Sequence, residues 1–318
     1  MIINDKVYGK AKITELVLIE LLSSAPVLRL KNISQYGLPD KYYHLKNFSR
    51  YEHCVGVMIL LRKLGASIEE QIAGLLHDVP HLAFSHVADW VFGEGKKGIE
   101  NYHDLISEAF MMNSDIPVIL KKYGFDFDRI MDDGNFPLME SKAPDLCADR
   151  VDYALRELQA WLNPGIVSRC VEGLVNHDNQ IVFNNAKVAY LFATHFLQLQ
   201  TLNWGCFEAV ARYNLFSNAL KAAVGKNFLA EKDFYQDEKF ILKKIENIQD
   251  RGIQESLKTL ESKKLKRKRV GEKIVKKFRY VDPRVLVDGK LVRLGKENIK
   301  FVNYLAKHKK INEQGVIV

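Results

Sequence analysis

A mainly α-helical body carrying a small C-terminal α/β appendage is the fold class this sequence predicts. Apolar residues recur at three-to-four spacing over most of the first 260 positions, the period of a helix with one buried face. After about residue 278 the pattern changes to two short strand-like runs around Asp288-Gly289. The composition, 47% hydrophobic and 27% charged in 318 residues with no excess of Gly or Pro, is that of an ordinary globular protein with a sizeable core.

Helices are expected over 12–23, 50–64, 67–76, 83–92, 102–112, 144–161, 166–176, 187–202, 206–223 and 236–260. Ser67 followed by Glu70 reads as a capping box opening the third of these. Asn163-Pro164-Gly165 separates the sixth from the seventh. In the tail, Arg284 to Leu294 forms two runs around Asp288-Gly289, a preferred two-residue hairpin turn. A short helix near 296–308 and a last strand, GVIV, follow. This divides the chain into a helical domain over 1–260, a basic linker over 261–278 and an α/β tail over 279–318. No internal repeat is visible.

No apolar run approaches the roughly 20 residues needed to span a bilayer. The first residues, MIINDKVYGKAKI, lack the apolar stretch of a secretory signal. Cys54, Cys147, Cys170 and Cys206 are scattered and form no C-x-x-C pair, which argues against a disulfide frame or a cysteine zinc site. A cytoplasmic protein without membrane contact is expected.

The net charge of +8 is local. Residues 263–279 hold ten Lys/Arg against one Glu, and the remainder of the chain is close to neutral. Such a run is most simply a solvated face or linker; it also offers an electrostatic footprint for nucleic acid or another anion.

Histidine marks the chemistry. Five of nine histidines fall between 53 and 103, interleaved with Asp78, Asp89 and Asp104. Any one of them alone would read as a core histidine, but the cluster does not. The helix ending in GLLHDVPH is stopped by Pro80. Neighbouring residues on a regular helix diverge by about 100°, so His77 and Asp78 can face one ion only at such an end. Burying an ionised Asp beside a His is costly unless a cation compensates.

The motifs RYEHCVGV, GLLHDVPHLAFSHVADW, YHDLISEAF and DRVDYALRE together resemble the HD-domain phosphohydrolases, and among them the deoxynucleoside triphosphate triphosphohydrolases. The resemblance covers residues 1–160 well and thins across 165–225. It implies an HD-domain helical bundle and one divalent metal ion held by His53, His77, Asp78 and Asp149. Two imidazoles and two carboxylates suit manganese, iron, nickel, cobalt, zinc or magnesium, with positions left open for water and substrate. It further implies catalytic roles for Arg50, His81, His86, Asp89, His103 and Asp104, and substrate contacts from Gln35, Arg150, Tyr153 and Glu157. The implied reaction releases deoxynucleoside and tripolyphosphate from a dNTP, and the implied assembly is a homo-oligomer. Hydrolysis of another nucleotide, such as a monophosphate or signalling nucleotide, and a nuclease using the basic segment are the alternatives.

The chain departs from the family pattern in places. Glu157 replaces an Asp, Arg150 a Lys, and Tyr36 an aliphatic residue beneath the sugar. His195 stands where relatives have an arginine on the terminal phosphate, and Asn203 where they have a substrate-contacting tyrosine. Asp5 matches an acidic residue that reads a regulatory guanine in some relatives, yet a lone Asp in a turn predicts no such regulation.

Overall fold

The structure is a computed structural model and describes every residue except 98, 100, 101, 268 and 269; the side chain of His103 also lies outside the described residues. A hairpin of β1 (Ile2–Asp5) and β2 (Gly9–Lys12) opens the chain. There follow α1 (Leu16–Ser23), α2 (Ala25–Arg29), α3 (Arg50–Lys63), α4 (Ile68–Leu76), α5 (His86–Phe92), α6 (Tyr102–Met112), α7 (Ile116–Lys122), α8 (Phe127–Met131), α9 (Ala148–Glu157) and α10 (Val167–Gly173). A second hairpin, β3 (Leu174–His177) with β4 (Gln180–Phe183), precedes α11 (Ala186–Leu199), α12 (Phe207–Gly225), α13 (Glu238–Ile245) and α14 (Arg251–Leu260). The tail comprises β5 (Lys273–Ile274), β6 (Arg284–Val287), β7 (Lys290–Arg293), α15 (Leu294–Glu297), α16 (Ile299–Gln314) and β8 (Val316–Ile317). Among the described residues no helix is long and apolar enough to cross a membrane.

α3 is the axis. Residues 53 to 61 are buried without interruption, so this helix is apolar all round and sits inside the bundle, as a two-sided core helix must. Its start is fixed by a full capping box: Ser49 Oγ accepts from the Glu52 amide while the Glu52 carboxylate accepts from the Ser49 amide at 2.9 Å. At α4 only half of the expected box forms. Ser67 Oγ accepts from the Glu70 amide, but the buried Glu70 carboxylate instead accepts from the amides of Leu138 and Met139 at 2.7 and 3.1 Å, tying in a distant loop.

Two expected helices are shorter than their apolar pattern. The run 166–176 turns into strand β3 at Leu174, and 236–260 is broken between α13 and α14, where Asp250 caps the Ile253 amide. In the tail the hairpin turns at Asp288-Gly289, both with positive φ (47° and 76°), the two-residue turn that glycine makes cheap. The hairpin does not stand apart. β6 pairs parallel with β4, giving a four-stranded sheet in the order β3-β4-β6-β7, and β8 pairs with β5. Val281, Val285, Leu294 and Phe301 of the tail belong to the same buried cluster as α3 and α9.

Candidate active site

Three helix ends and one helix face bring the chemistry together. α3 begins with Arg50 and carries His53 one turn later. α4 ends at Leu76, and the turn that follows, with the Val79 amide on Leu76 O and the His81 amide on Asp78 O, lets His77 and Asp78 face the same space. α9 presents Asp149, Tyr153 and Glu157 at four-residue spacing, one above another on one face. α5 opens with His86 after Phe84 and Ser85, both held at positive φ (67° and 47°), an unfavourable backbone for these residues that concentrates at functional turns.

Four side chains distant in sequence converge. His53 Nε2 lies 3.0 Å from Asp149 Oδ1 and 3.5 Å from Asp78 Oδ2. His77 Nε2 lies 3.6 Å from Asp78 Oδ1 and 3.6 Å from Asp149 Oδ1. His53, His77 and Asp149 each offer one atom within 4.8 Å of the others, a spacing that one divalent ion can bridge, and Asp78 borders this trio through both of its oxygens. His77 Nε2 is moreover buried and without a hydrogen-bond partner, the state of a ligand atom rather than a structural one, while its Nδ1 donates to Gly74 O at 2.9 Å.

The electrostatics agree. Burial opposes charge on His77, yet Asp78 and Asp149 push it up to about 10; His53 is also raised, against its burial, by Asp149 and Asp152. Burial would raise the carboxylates, but Arg50 and His77 hold Asp78 well below the usual range, and the two imidazoles do the same for Asp149. The cluster attracts positive charge strongly enough to hold protons where a metal would otherwise sit.

A second layer of contacts fixes these groups, and most of it was invisible in the sequence. Asp152, fully buried, sits 2.7 Å from His53 Nδ1, so His53 is oriented with Nε2 toward the cluster. Arg156 Nε donates to Asp152 at 2.8 Å, and Arg156 Nη2 donates to Asp5 at 2.7 Å. Asp5 thus links the N-terminal hairpin to the site, with its other oxygen accepting from the amides of Val7 and Tyr8. Arg50 pairs with Asp78 and donates through Nε to Ser85 Oγ at 2.7 Å. Arg29, stacked over Phe110, donates to the carbonyls of Val79 and His81, which clamps the turn carrying Asp78.

Two connected cavities lie here. One, of about 410 Å³, contains Arg50, His77, Asp78, His81, His86, Asp104, Asp149 and Arg150. The other, of about 100 Å³, is lined by Tyr36, Tyr153, Trp204 and Tyr213 with Glu157; Gln35, His86, Tyr153 and Arg279 border both. His81 Nε2 is 3.2 Å from Asp78, and the His81 and His86 rings are 5.1 Å apart. Asp89 is buried away from either cavity and acts on His86, whose Nδ1 is 2.8 Å from its carboxylate. Glu157 accepts from Trp204 Nε1 at 2.6 Å; burial raises its carboxyl well above the usual range, against the opposing influence of Trp204 and Arg279. Glu157 and Trp204 are set by two widened helical turns, 158–162 and 200–204, of the kind that recur at functional sites. Gln35 Oε1 is buried and unpartnered, as befits a group awaiting a ligand donor.

One expected contact, Arg150, is directed elsewhere, and His195, which replaces the family's arginine, also points away from the site. The Arg150 guanidinium is occupied by the Asp145 and Ser141 carbonyls, Cys147 and Glu140. His195 faces Leu191 O and Asn163 and touches neither cavity.

Comparison with known proteins agrees with this geometry. Residues 50–128 match the model of the HD domain. The chain is 35% identical over 313 residues to the uncharacterized protein YdhJ of Bacillus subtilis, spanning 92% of this chain and 91% of that one. It is 40% identical over 157 residues to the metal-dependent phosphohydrolase cns2 of Cordyceps militaris, spanning 49% of this chain and 45% of that one. The crystal structure of a hypothetical protein from Aquifex aeolicus, 17% identical, superposes with a TM-score of 0.69 over 99% of both chains and shares the fold. The chain belongs to the HD-domain family of metal-dependent phosphohydrolases.

Proposed function

We propose that this protein hydrolyses a deoxynucleoside triphosphate at the α-phosphorus, releasing deoxynucleoside and tripolyphosphate. The observation that carries the reading is the junction of the two cavities: an aromatic pocket shares Gln35, His86 and Tyr153 with the cavity that holds the imidazole–carboxylate cluster. The HD motif's resemblance to the dNTP hydrolases supplies the substrate class.

His53, His77, Asp78 and Asp149 would hold one divalent ion. Such an ion supplies Lewis acidity toward a phosphoryl oxygen and neutralises charge there. In this proposal Tyr153 and Tyr36 flank the nucleoside, while Gln35 and the protonated Glu157 give it polar contacts. Arg50 faces a non-bridging phosphoryl oxygen, where its planar fork is pre-shaped for oxyanions. Water adds to phosphorus as the bond to the 5′ oxygen breaks; His86, steadied by Asp89, protonates that oxygen and is reprotonated from solvent, which takes up the proton the water releases. His81 and Asp104 border the same phosphate. By the same resemblance the protein works as a homo-oligomer, and its scattered, unpaired cysteines favour a reducing compartment such as the cytoplasm.

A second reading, hydrolysis of a nucleoside monophosphate, is favoured by the engagement of Arg150 with protein groups and by His195, which stands in place of a phosphate-gripping arginine and is turned to Leu191 O. A metal-loaded nucleotide panel decides. Deoxynucleoside with tripolyphosphate from dNTPs is expected; orthophosphate from monophosphates alone would install the second reading, and no turnover of any nucleotide would overturn both.

A further inference from the structure

Part of the basic segment runs across the mouth of the larger cavity, and it is built in rather than laid on. Gln200, 1% exposed, brackets this strap as a neighbouring strand would: Nε2 donates to Lys277 O at 3.3 Å and Oε1 accepts from the Arg279 amide at 3.1 Å. Asn312 Nδ2 donates to Lys276 O at 2.9 Å, and its Oδ1 accepts from Gln200 at 2.9 Å. β5 anchors the strap upstream by pairing with β8; downstream the Asp282 amide donates to Pro144 O at 3.0 Å.

Phe278 and Tyr280, stacked at 5.7 Å, pack on the main core and also border the larger cavity, and Lys277 and Arg279 lie beside them in the strap. Both border the 410 Å³ cavity, and Arg279 borders the aromatic pocket as well, near enough to favour ionisation of Glu157 and Tyr153. Lys277 is exposed and forms no ion pair with the described residues.

The rest of the cavity does not offer what a polyanion requires. Asp78, Asp104, Asp133, Glu140 and Asp149 make its wall acidic. Arg50, paired with Asp78, is assigned above to the attacked phosphate, and Arg150 is held by four protein groups. A chain of phosphates leaving the cluster would face five carboxylates in this lining, to which the strap adds Lys277 and Arg279.

We infer that Lys277 and Arg279 form the subsite for the β- and γ-phosphates of the substrate, delivered to the HD domain by the C-terminal appendage and held in place by Gln200 and Asn312. This assignment rests on the triphosphohydrolase reading above and gives the last part of the basic run a place in the site. Charge-assisted contacts from a lysine and an arginine are the usual means of holding phosphate oxygens.

Binding of inorganic tripolyphosphate to the metal-loaded protein, by calorimetry, tests the subsite without requiring turnover. The parent protein is expected to bind it, more weakly as salt rises, and the K277A/R279A double variant at least tenfold more weakly, with metal content and melting temperature unchanged. The charge-preserving K277R/R279K variant should recover most of the affinity. Affinity in the double variant within twofold of the parent, or no tripolyphosphate binding by the parent, overturns the subsite. Failure of the substrate reading looks different: tripolyphosphate still binds in a strap-dependent way, while dNTPs are not hydrolysed.

Discussion

Glu238 belongs to no motif, yet it holds the strained turn that aims His86. Its carboxylate accepts from the Ser34 amide at 2.8 Å, Ser34 Oγ at 2.7 Å and the Phe84 amide at 3.3 Å, across sequence gaps of 154 to 204 residues. Burial pushes its carboxyl up to about 7 from 4.5, although these donors and Arg50 oppose the rise. A carboxyl whose folded value exceeds its unfolded one favours folding in the protonated form. Its contribution is therefore full below about 4.5 and is lost as pH climbs through about 7, an effect of at most about 3 kcal/mol. Glu238→Gln keeps an acceptor and a donor but cannot ionise. The variant should match the parent near pH 5 and exceed it in stability near pH 8; a stability difference that does not vary between these pH values would refute the assignment. His77 and Asp78 could be reached from sequence because a proline-stopped helix end next to His-Asp is a local signal, and family motifs supplied His53 and Asp149. Glu238, Arg29 and Gln200 were beyond reach because each acts on backbone groups far away in the chain, which no spacing encodes.

At the scale of elements, the contact between α3 and α9 sets the site's width. Gly56, one turn beyond His53, lies where an added Cβ would run into the Arg156 guanidinium and the Asp152 carboxylate. The missing side chain lets Asp152 reach His53 Nδ1 while Arg156 spans to Asp5. Both obstacles are buried and bonded on other sides, so they cannot simply swing away. Gly56→Ala gains intrinsic helix propensity of about 1 kcal/mol, but overpacking at such a contact costs about 1–3 kcal/mol. A net loss of up to about 2 kcal/mol in urea unfolding is expected. Because His53 loses its orienting partner, metal affinity should also fall about 10–100-fold. Unchanged metal affinity in a folded variant would show that Asp152 does not position His53. The start of α4 was legible because capping is local, as at Ser67, whereas the cap at Asp250 lay inside an unbroken apolar pattern. The short strands β3 and β4 were not. Their four residues continue the apolar pattern of the helices on either side, and only the turn at Asp178-Asn179, with φ of 51° and 58°, separates them.

For the whole molecule, the cluster couples metal, protons and folding. Without metal, His77 is held up to about 10 against an ordinary 6.5. A raised imidazole stabilises the fold fully below about 6.5 and progressively less as pH rises through about 10. A metal competes for the same nitrogen, so its affinity moves the opposite way, growing as protons become scarcer. The two trends add when loaded and chelated protein are compared. Ligand binding stabilises by RT ln(1 + [L]/Kd), and each tenfold gain in affinity at fixed excess metal is worth about 1.4 kcal/mol. The melting-temperature difference between metal-loaded and EDTA-treated protein should therefore be small near pH 6 and widen steadily to pH 9. The proposed ligands lie on α3, at the end of α4 and on α9, elements that share one core cluster with the tail residues Val281, Val285, Leu294 and Phe301. The added stability should accordingly reach beyond the helices that touch the ion, and hydrogen exchange should slow on metal loading in β6 and α16 as well as in α3 and α9. A melting difference that stays constant or narrows with pH would mean that the protons do not occupy the metal's place, and the four-residue cluster would lose its standing as the metal centre.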